Sequence, residues 1–522
     1  MVLFSLEIWL ALALVLLAWA FWTAQWRPSG SPPGPYRLPL LGNLLSLGGS
    51  PHLRLRAMAC RFGPIFSLQL GCRFAVVLSD SEVITEALQR KGTKTAGRPS
   101  FRLFEVVSQG EDMAMVSYGV QWRILRKLAH GALFNRARIA EAEPAILTQV
   151  SHLLRHFHNH STITTEQKEG AAQPSNKEER AAFYPHALLK RFGMSVIGSL
   201  TFGRDLFEAP EQDFVRLQQG FDFLFKVGGT PDPADYFPSL AGVLPNTTLK
   251  KVKSIGSSVL ALLEGSLADH KKKLDPHHPK DFVDQILIHR EKDEVKEKES
   301  FLDDARCSKL LFDLFTAGTD TSSTVIEWFL AFMCCFPEVQ RKIHAELDEK
   351  IKGRRNGEDE KGEEVMVKLK DKKELPYLSA ALLEALRFRP PAILSLPHVV
   401  MEEVQVAGYV LPKGTLIITN LFAAMMDEKI FEQPEKFVPE RFLEDPQLDE
   451  KVIAFGVGPR QCPGMLLAEA ELFLAIANLM LRFSFVAASS SKYEKQAEPS
   501  LDGVFGLTLQ PAPFPIRVLA RE

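Results

Sequence analysis

The sequence predicts a mainly α-helical protein with a smaller β-rich portion, preceded by a single N-terminal transmembrane helix. Three observations carry this. Most of the chain up to about residue 390 reads as helix, short strand-like runs parted by Gly and Pro turns follow Pro390-Pro391, and residues 8–26 hold no formal charge.

The elements follow in order. From Ile8 to Trp26 the chain is mostly Leu, Ala, Val and Trp, and as a helix this run spans roughly 28 Å, close to the hydrocarbon thickness of a bilayer. Trp19, Trp22 and Trp26 crowd one end, Glu7 precedes the run, and Arg27 and Arg37 follow it. The positive-inside rule then puts the body in the cytosol. A cleaved signal peptide with Ala18-Trp19-Ala20 as its small-x-small site is the competing reading; it lacks a positive n-region, and the apolar run continues past that site. Pro28 to Pro35 is rich in Pro, Gly and Ser, which cannot continue a helix and reads as a stiff spacer. Residues 1–26 are therefore expected to be an anchor, 27–42 a proline-rich hinge and 43–522 the main domain.

In the body, Ile65–Leu70 and Arg73–Leu78 flank Gly71-Cys72 as a hairpin. Charged or polar interruptions at Glu166–Arg180, Arg290–Glu299 and Gly353–Glu364 read as solvated loops or helix ends. Asp303 to Cys335 forms a long helical stretch stopped by Phe336-Pro337. Short strands are expected around His398–Val400, Val404–Val410 and Thr415–Thr419, and an apolar helix over Met465–Arg482.

Composition narrows the function. Hydrophobic residues make up 46% and charged residues 24%, which excludes wholesale disorder and a fibrous fold. With 62 Lys and Arg against 64 Asp and Glu, the chain lacks the basic footprint of a general nucleic-acid binder. Six cysteines without a CxxC pair make neither a disulfide scaffold nor a zinc or redox motif.

The chemistry centres on Phe455-Gly456-Val457-Gly458-Pro459-Arg460-Gln461-Cys462-Pro463-Gly464. Glycines and prolines make this an irregular loop, and Cys462 sits just before a helix amino terminus, with Pro463 suited to the first turn. Free N–H groups and the helix dipole there favour a thiolate, a soft and strong metal ligand. Arg460 offers a fixed cation, and small Gly458 and Gly464 let the backbone approach a flat ring closely.

With Phe455, Gly458, Arg460, Cys462 and Gly464 at every fixed position of FxxGxRxCxG, the loop resembles the haem-binding signature of the cytochrome P-450 family. The resemblance spans essentially the whole chain and implies the cytochrome P-450 fold, haem b (iron protoporphyrin IX) and Cys462 as axial ligand to its iron. In the long helix, Ala317-Gly318-Thr319-Asp320-Thr321-Ser322 looks like the family's oxygen-activation segment. Asp320 and Thr321 then stand as the catalytic acid–alcohol pair, about 100° apart around the helix, with Thr321 or its neighbour facing the haem and the other reaching toward solvent-linked water. The Gly and hydroxyl cluster invites an opening in the helix hydrogen-bond ladder.

Glu384-Ala385-Leu386-Arg387 matches ExxR, whose separation of three puts both side chains on one helix face. Arg441 in Pro439-Glu440-Arg441-Phe442 would complete a structural Glu–Arg–Arg triad. Trp122 and Arg126 match WxxxR and, with Arg460 and His398, are expected at the haem propionates; Ala317 and Phe455 would also touch the ring. Arg123 and Lys127 are candidates for docking an acidic electron donor, a solvated face being the other reading.

The details look like the animal microsomal branch that handles steroids, fatty acids and foreign compounds. The implied activity is insertion of one oxygen atom from O2 into a small apolar substrate. Electrons come from an NADPH-cytochrome reductase, with cytochrome b5 as a further partner, at a single-pass endoplasmic reticulum membrane with its lipid. No nucleic-acid partner is implied. The pocket is expected to be lined from residues 100–118, 207–237, 312–317, 393–396 and 504–507. Two rivals stay open: a reductase-independent isomerase or hydroperoxide-rearranging member of the same family, and a non-enzymatic haem-binding membrane protein.

Overall fold

Ile65–Leu70 (β1) and Arg73–Leu78 (β2) alternate little, because both faces of this hairpin are covered and most of its residues are buried. β2 pairs in parallel with Leu416–Thr419 (β7), which in turn pairs antiparallel with His398–Val399 (β4), giving the order β1-β2-β7-β4. One sheet thus joins the start of the body to the segment after Pro390-Pro391. Ser161–Thr162 (β3), Phe483–Ala487 (β8) and Ile516–Ala520 (β9) form a second sheet, and Val404–Val406 (β5) with Tyr409–Leu411 (β6) a third. The computed structural model describes residue 23 and residues 25–162, 182–230, 232–297, 301–351, 365–488 and 498–521. Nearly all of the expected anchor, and the interruptions at 166–180 and 353–364, lie outside the described residues.

Ten helices do most of the packing: Val120–Ala132 (α1), Arg136–His160 (α2), His186–Phe202 (α3), Glu211–Gly228 (α4), Thr247–Lys273 (α5), Phe282–Glu297 (α6), Asp304–Cys335 (α7), Pro337–Lys350 (α8), Pro376–Phe388 (α9) and Met465–Arg482 (α10). α7 is the central beam. Asp303 caps it by accepting from the Arg306 N–H at 2.8 Å. Its second half, from Ser322 to Met333, is buried on every side, so its hydrophobic run has no polar stripe. It ends at Phe336 because Pro337 starts a new helix, bent away by 106°. α10 shows the same all-round burial from Ala470 to Leu481. Residues 290–297 continue α6 as a helix end.

Among the described residues, no single helix is long and apolar enough to cross a membrane; only the bent pair α7 and α8 passes by length and composition. All six cysteines are free thiols.

Candidate active site

α7, α10, the start of α1 and the loop before α10 enclose one cavity, of about 290 Å³ measured by the centres of water-sized molecules. That is roughly twenty times what one water requires. Ile84, Leu88, Phe134, Leu314, Val325 and Leu421 give it an apolar wall. Trp122, Arg126, Ala317 and His398 line it, as do Phe455, Arg460, Cys462 and Gly464. Eight residues chosen from four separate sequence segments therefore meet in one place, and Thr321 joins them.

The cysteine loop is held by its own backbone: the Cys462 N–H donates to the Phe455 carbonyl at 2.9 Å. α10 starts at Met465 with Gly464 as its cap, so Pro463 lies before the helix and not in its first turn. Gly458 is needed for a different contact from the one expected. Its φ is +76°, and a Cβ there would sit 1.9 Å from the Leu88 carbonyl oxygen, so it fits against backbone and not against a ring. Gly464 leaves room for a Cβ, the nearest atom being 3.5 Å away on Phe134. Burial pushes the Cys462 thiol pKa up, opposed by the Gly464 N–H and the Arg126 charge. The helix dipole alone would push it the other way; a bound cation would restore the thiolate outright.

Three guanidiniums surround the cavity. Arg460 donates to the Ala96 carbonyl from Nε at 3.0 Å and from Nη2 at 2.9 Å, and lies 4.7 Å from the Trp122 ring centroid. Arg126 donates to the Gln461 carbonyl at 2.6 Å. Arg98, which sequence reasoning missed, lines the same cavity and donates to the carbonyls of Ala114, Leu396 and Pro397 at 3.0, 3.0 and 2.9 Å. Burial lowers the pKa of all three; the Arg460 charge adds to this at Arg98 and the Arg126 charge at Arg460, while Asp112 opposes it at both. Among the described residues none of them has a carboxylate at ion-pair distance. His398 is buried with Nδ1 3.1 Å from the Thr95 carbonyl, and burial first, then Arg98, keeps it neutral. Three buried cations, with Asp112 near Arg98 and Arg460 but no carboxylate among the described residues in contact with any of them, favour an anionic ligand. A flat apolar ring carrying two carboxylates and an iron atom fits this donor set: carboxylates at Arg98, Arg126 and Arg460, metal at the Cys462 sulfur.

Thr321 stands on α7 with Oγ1 donating to the Ala317 carbonyl at 2.8 Å. Thr319 and Ser323 bond back to the Phe315 and Thr319 carbonyls in the same way, at 2.6 and 2.8 Å. The hydroxyls thus satisfy themselves on the helix, and α7 runs through this segment without the expected break. Asp320 is not in the cavity wall and does not reach toward solvent. It is fully buried on another face of α7, ion-paired with Lys190 of α3 and accepting from Thr508 Oγ1 at 2.5 Å and Gln510 Nε2 at 3.1 Å. Lys190 also lies 4.0 Å from Asp222, which faces His186, itself 2.9 Å from Glu327. A carboxylate among hydroxyls on a core helix demands a counter-ion, but nothing in spacing identifies Lys190.

The Glu384, Arg387 and Arg441 side chains meet away from the cavity. Arg387 makes a two-pronged bond to Glu384, 2.7 and 2.8 Å, and Arg441 Nε lies 3.3 Å from Glu384 Oε2. Arg387 also donates to the carbonyls of Met425 and Pro434, at 2.8 and 2.9 Å, and Arg441 to that of Glu432 at 2.7 Å. A fully buried ion pair with this many satisfied donors fixes the chain around Met425–Lys436.

Two of the expected pocket regions do not line the cavity. Phe221 packs edge-on against Phe315, ring centroids 5.5 Å apart, and Phe505 stacks on His52 at 5.9 Å. Residues 100–118, 312–317 and 393–396 contribute Met113, Ala114, Asp313, Leu314, Ala317, Ser395 and Leu396.

The family profile described as Cytochrome P450 matches residues 32–518. The chain belongs to the cytochrome P450 family, the haem-thiolate monooxygenases, and its cofactor is haem b. It is 31% identical to human Cytochrome P450 2U1 over 97% of this chain and 92% of that protein. To human Cytochrome P450 1A1 it is 30% identical over 96% and 95%. A zebra fish cytochrome P450 solved with abiraterone superposes with a TM-score of 0.74 at 27% identity, covering 91% of this chain and 100% of that one.

Proposed function

We propose that the chain is a membrane-bound monooxygenase that inserts one oxygen atom from O2 into a small apolar substrate, of the steroid, fatty acid or xenobiotic class. Its electrons come from NADPH through a reductase. The observation that carries this is a single apolar cavity bearing the Cys462 sulfur, the Thr321 hydroxyl and three guanidiniums without carboxylate partners. Haem b, when bound, supplies the dioxygen-activating chemistry. The protein's part is the rest: Cys462 ligates the iron, and Arg98, Arg126 and Arg460 hold the propionates with Trp122 and His398 beside them. Ala317, Phe455 and Gly464 meet the ring. Thr321 keeps a hydroxyl at the reaction face, and Asp320 anchors the helix behind it through Lys190.

Arg123 and Lys127 are exposed, four residues apart on α1, and form the surface we assign to an acidic donor such as an NADPH-cytochrome reductase or cytochrome b5. The membrane assignment to the endoplasmic reticulum, with a cytosolic body (43–522), rests on the uncharged run at 8–26. It is supported by apolar side chains around the β1–β2 turn. Leu40 is 87% exposed and Leu45 69%, while the Leu41 carbonyl accepts from Gly71 of that turn.

The test is a spectral and turnover screen of the full haem-loaded protein. The reduced carbon-monoxide complex is expected to show a thiolate-type band that is lost in Cys462→Ala. Steroids or fatty acids should shift the haem spectrum and give oxygenated product only with reductase and NADPH. Product formed without reductase would refute the monooxygenase reading in favour of an isomerase.

A further inference from the structure

Away from the cavity, the end of α5 and the start of α6 bring three metal-ligating side chains together. One ligand atom from each of His270, Asp281 and Asp284 lies within 4.8 Å of the other two. Asp281 and Asp284 are only 7% and 5% exposed, so both acids are sealed in, and none of the three residues lines the cavity. The connection between the two helices carries the exposed His277 and His278.

Each of the three is oriented from behind. The Ser266 carbonyl can only accept, so His270 Nδ1, 2.8 Å from it, carries a proton. Nε2 is then the ligating atom, and it lies 2.8 Å from Asp281 Oδ2. Asp281 Oδ1 accepts from the Asp284 N–H at 3.1 Å, and Asp284 Oδ2 from the Lys280 N–H at 2.9 Å. An imidazole fixed at one nitrogen by a carbonyl, beside carboxylates fixed at one oxygen each, is how metal ligands are held.

An ion pair over a helix cap accounts for His270 and Asp281. It leaves Asp284 unexplained, a buried carboxylate with one backbone N–H and, among the described residues, no cation at ion-pair distance. The nearby lysines turn elsewhere, Lys271 to Asp304 at 2.6 Å and Lys272 to Asp269 at 3.5 Å. Burial lowers the His270 pKa, but the bonds to Ser266 and Asp281 outweigh it and raise it. Even with that imidazolium the cluster keeps one net negative charge in the interior. A neutral imidazole, two carboxylates and a divalent ion sum to zero.

We propose that His270, Asp281 and Asp284 form a structural site for a divalent transition-metal ion of the zinc type, completed by water, that ties the end of α5 to the start of α6. One nitrogen and two carboxylates without sulfur suit Zn2+, whereas Mg2+ and Ca2+ take shells of oxygen. Ligand atoms on a tetrahedral zinc stand about 3.3 Å apart, so the 2.8 Å His270–Asp281 contact opens by about half an ångström as the ion enters. The imidazolium proton leaves to solvent in the same step. His270, with its side chain 19% exposed, gives the ion its way in. The site stands apart from the monooxygenase chemistry and does not depend on it.

In the experiment, the full haem-loaded protein is freed of loose metal with a chelator and dialysed against micromolar ZnCl2 alone, bound zinc being measured by atomic emission. One zinc per chain is expected. His270→Ala and Asp284→Asn should each weaken binding by about a hundredfold or more, and His278→Ala should leave it unchanged. X-ray absorption of the zinc in wild type should show nitrogen and oxygen neighbours at about 2.0–2.2 Å, with an imidazole pattern and no sulfur at about 2.3 Å. That measurement reports even where a variant fails to fold. Amide exchange over residues 266–290 should slow when zinc is added to wild type. No bound zinc at micromolar ion, sulfur in its shell, zinc kept by both ligand variants or lost from His278→Ala, displacement by millimolar Mg2+, or unchanged amide exchange overturns the proposal.

Discussion

The Lys190–Asp320 pair offers the sharpest energetic test, because both side chains are sealed from solvent, 1% and 0% exposed. Removing one partner of a buried pair leaves an uncompensated charge, which costs about 3–5 kcal/mol. In Lys190→Met the Asp320 carboxylate keeps two neutral donors, Thr508 and Gln510, which puts the loss near the lower end, about 3 kcal/mol. In Asp320→Asn the ammonium keeps only Asp222, 4.0 Å away and one-third exposed, so a loss of about 2–4 kcal/mol follows. The double variant leaves no buried charge. The amide that replaces the carboxylate in it can still bond Gln510 and Thr508, and the loss should fall to about 1 kcal/mol. Urea unfolding of the haem-loaded protein, followed by haem absorbance, measures all four corners of the cycle. A coupling energy of about 4–6 kcal/mol, with the double variant more stable than either single one, is expected. If the two losses add to within about 0.5 kcal/mol, the pair is no energetic unit and the account of Asp320 as helix anchor fails.

Two further outcomes follow from the same structure. Arg98→Gln should weaken haem retention by roughly tenfold to a hundredfold, the worth of one charge-assisted hydrogen bond, read as the rate of haem transfer to a scavenger apoprotein; an unchanged rate removes Arg98 from the propionate site. His186 tests the pH dependence. Burial pulls its pKa down, but bonds to Asp222 and Glu327 outweigh this and raise it to about 9, from 6.5. Its stabilisation is therefore complete below pH 6.5 and lost as pH climbs through about 9. Over that window wild type should lose on the order of 3 kcal/mol more than His186→Asn, measured by urea unfolding; parallel curves would refute the assignment.

What the sequence revealed and hid follows from the range of each interaction. The loop from Phe455 to Gly464, the helix of Thr321 and the Glu384–Arg387 pair are local patterns, with partners fixed by spacing within a few residues. The β1–β2 hairpin and the end of α7 at Phe336 are local too, set by Gly71-Cys72 and Pro337. Arg98 and Lys190 were illegible because their roles depend on chain segments about 300 and 130 residues away. The run Phe221, Phe223, Phe225 reads as a ligand wall by composition, yet which face of α4 meets Phe315 is decided by helix packing and not by the run itself. A local signal does exist for Glu471: it is an acid within the mostly apolar run of α10, and an acid buried in such a helix needs a reason.

The two faces of α7 divide the work. Toward α3 the helix is held by charge: an ammonium and a carboxylate whose separation would cost more than any single apolar contact nearby. Toward the cavity it presents Ala317, Gly318, Thr321 and Ser322, small or neutral groups, and Asp313, whose carboxyl is pushed toward the neutral form by burial. The cavity's cations, Arg98, Arg126 and Arg460, are tied to backbone carbonyls, and the acid Glu471 is neutral. Once a dianionic ring takes the guanidiniums, the remaining space carries hydroxyls, neutral acids and aliphatic walls. A charged substrate would have to shed its hydration without finding a counter-ion, whereas an apolar one would displace water at little cost. The proposed preference for apolar substrates would thus come from the same feature that fixes the helix: charge is confined to the face turned away from the cavity.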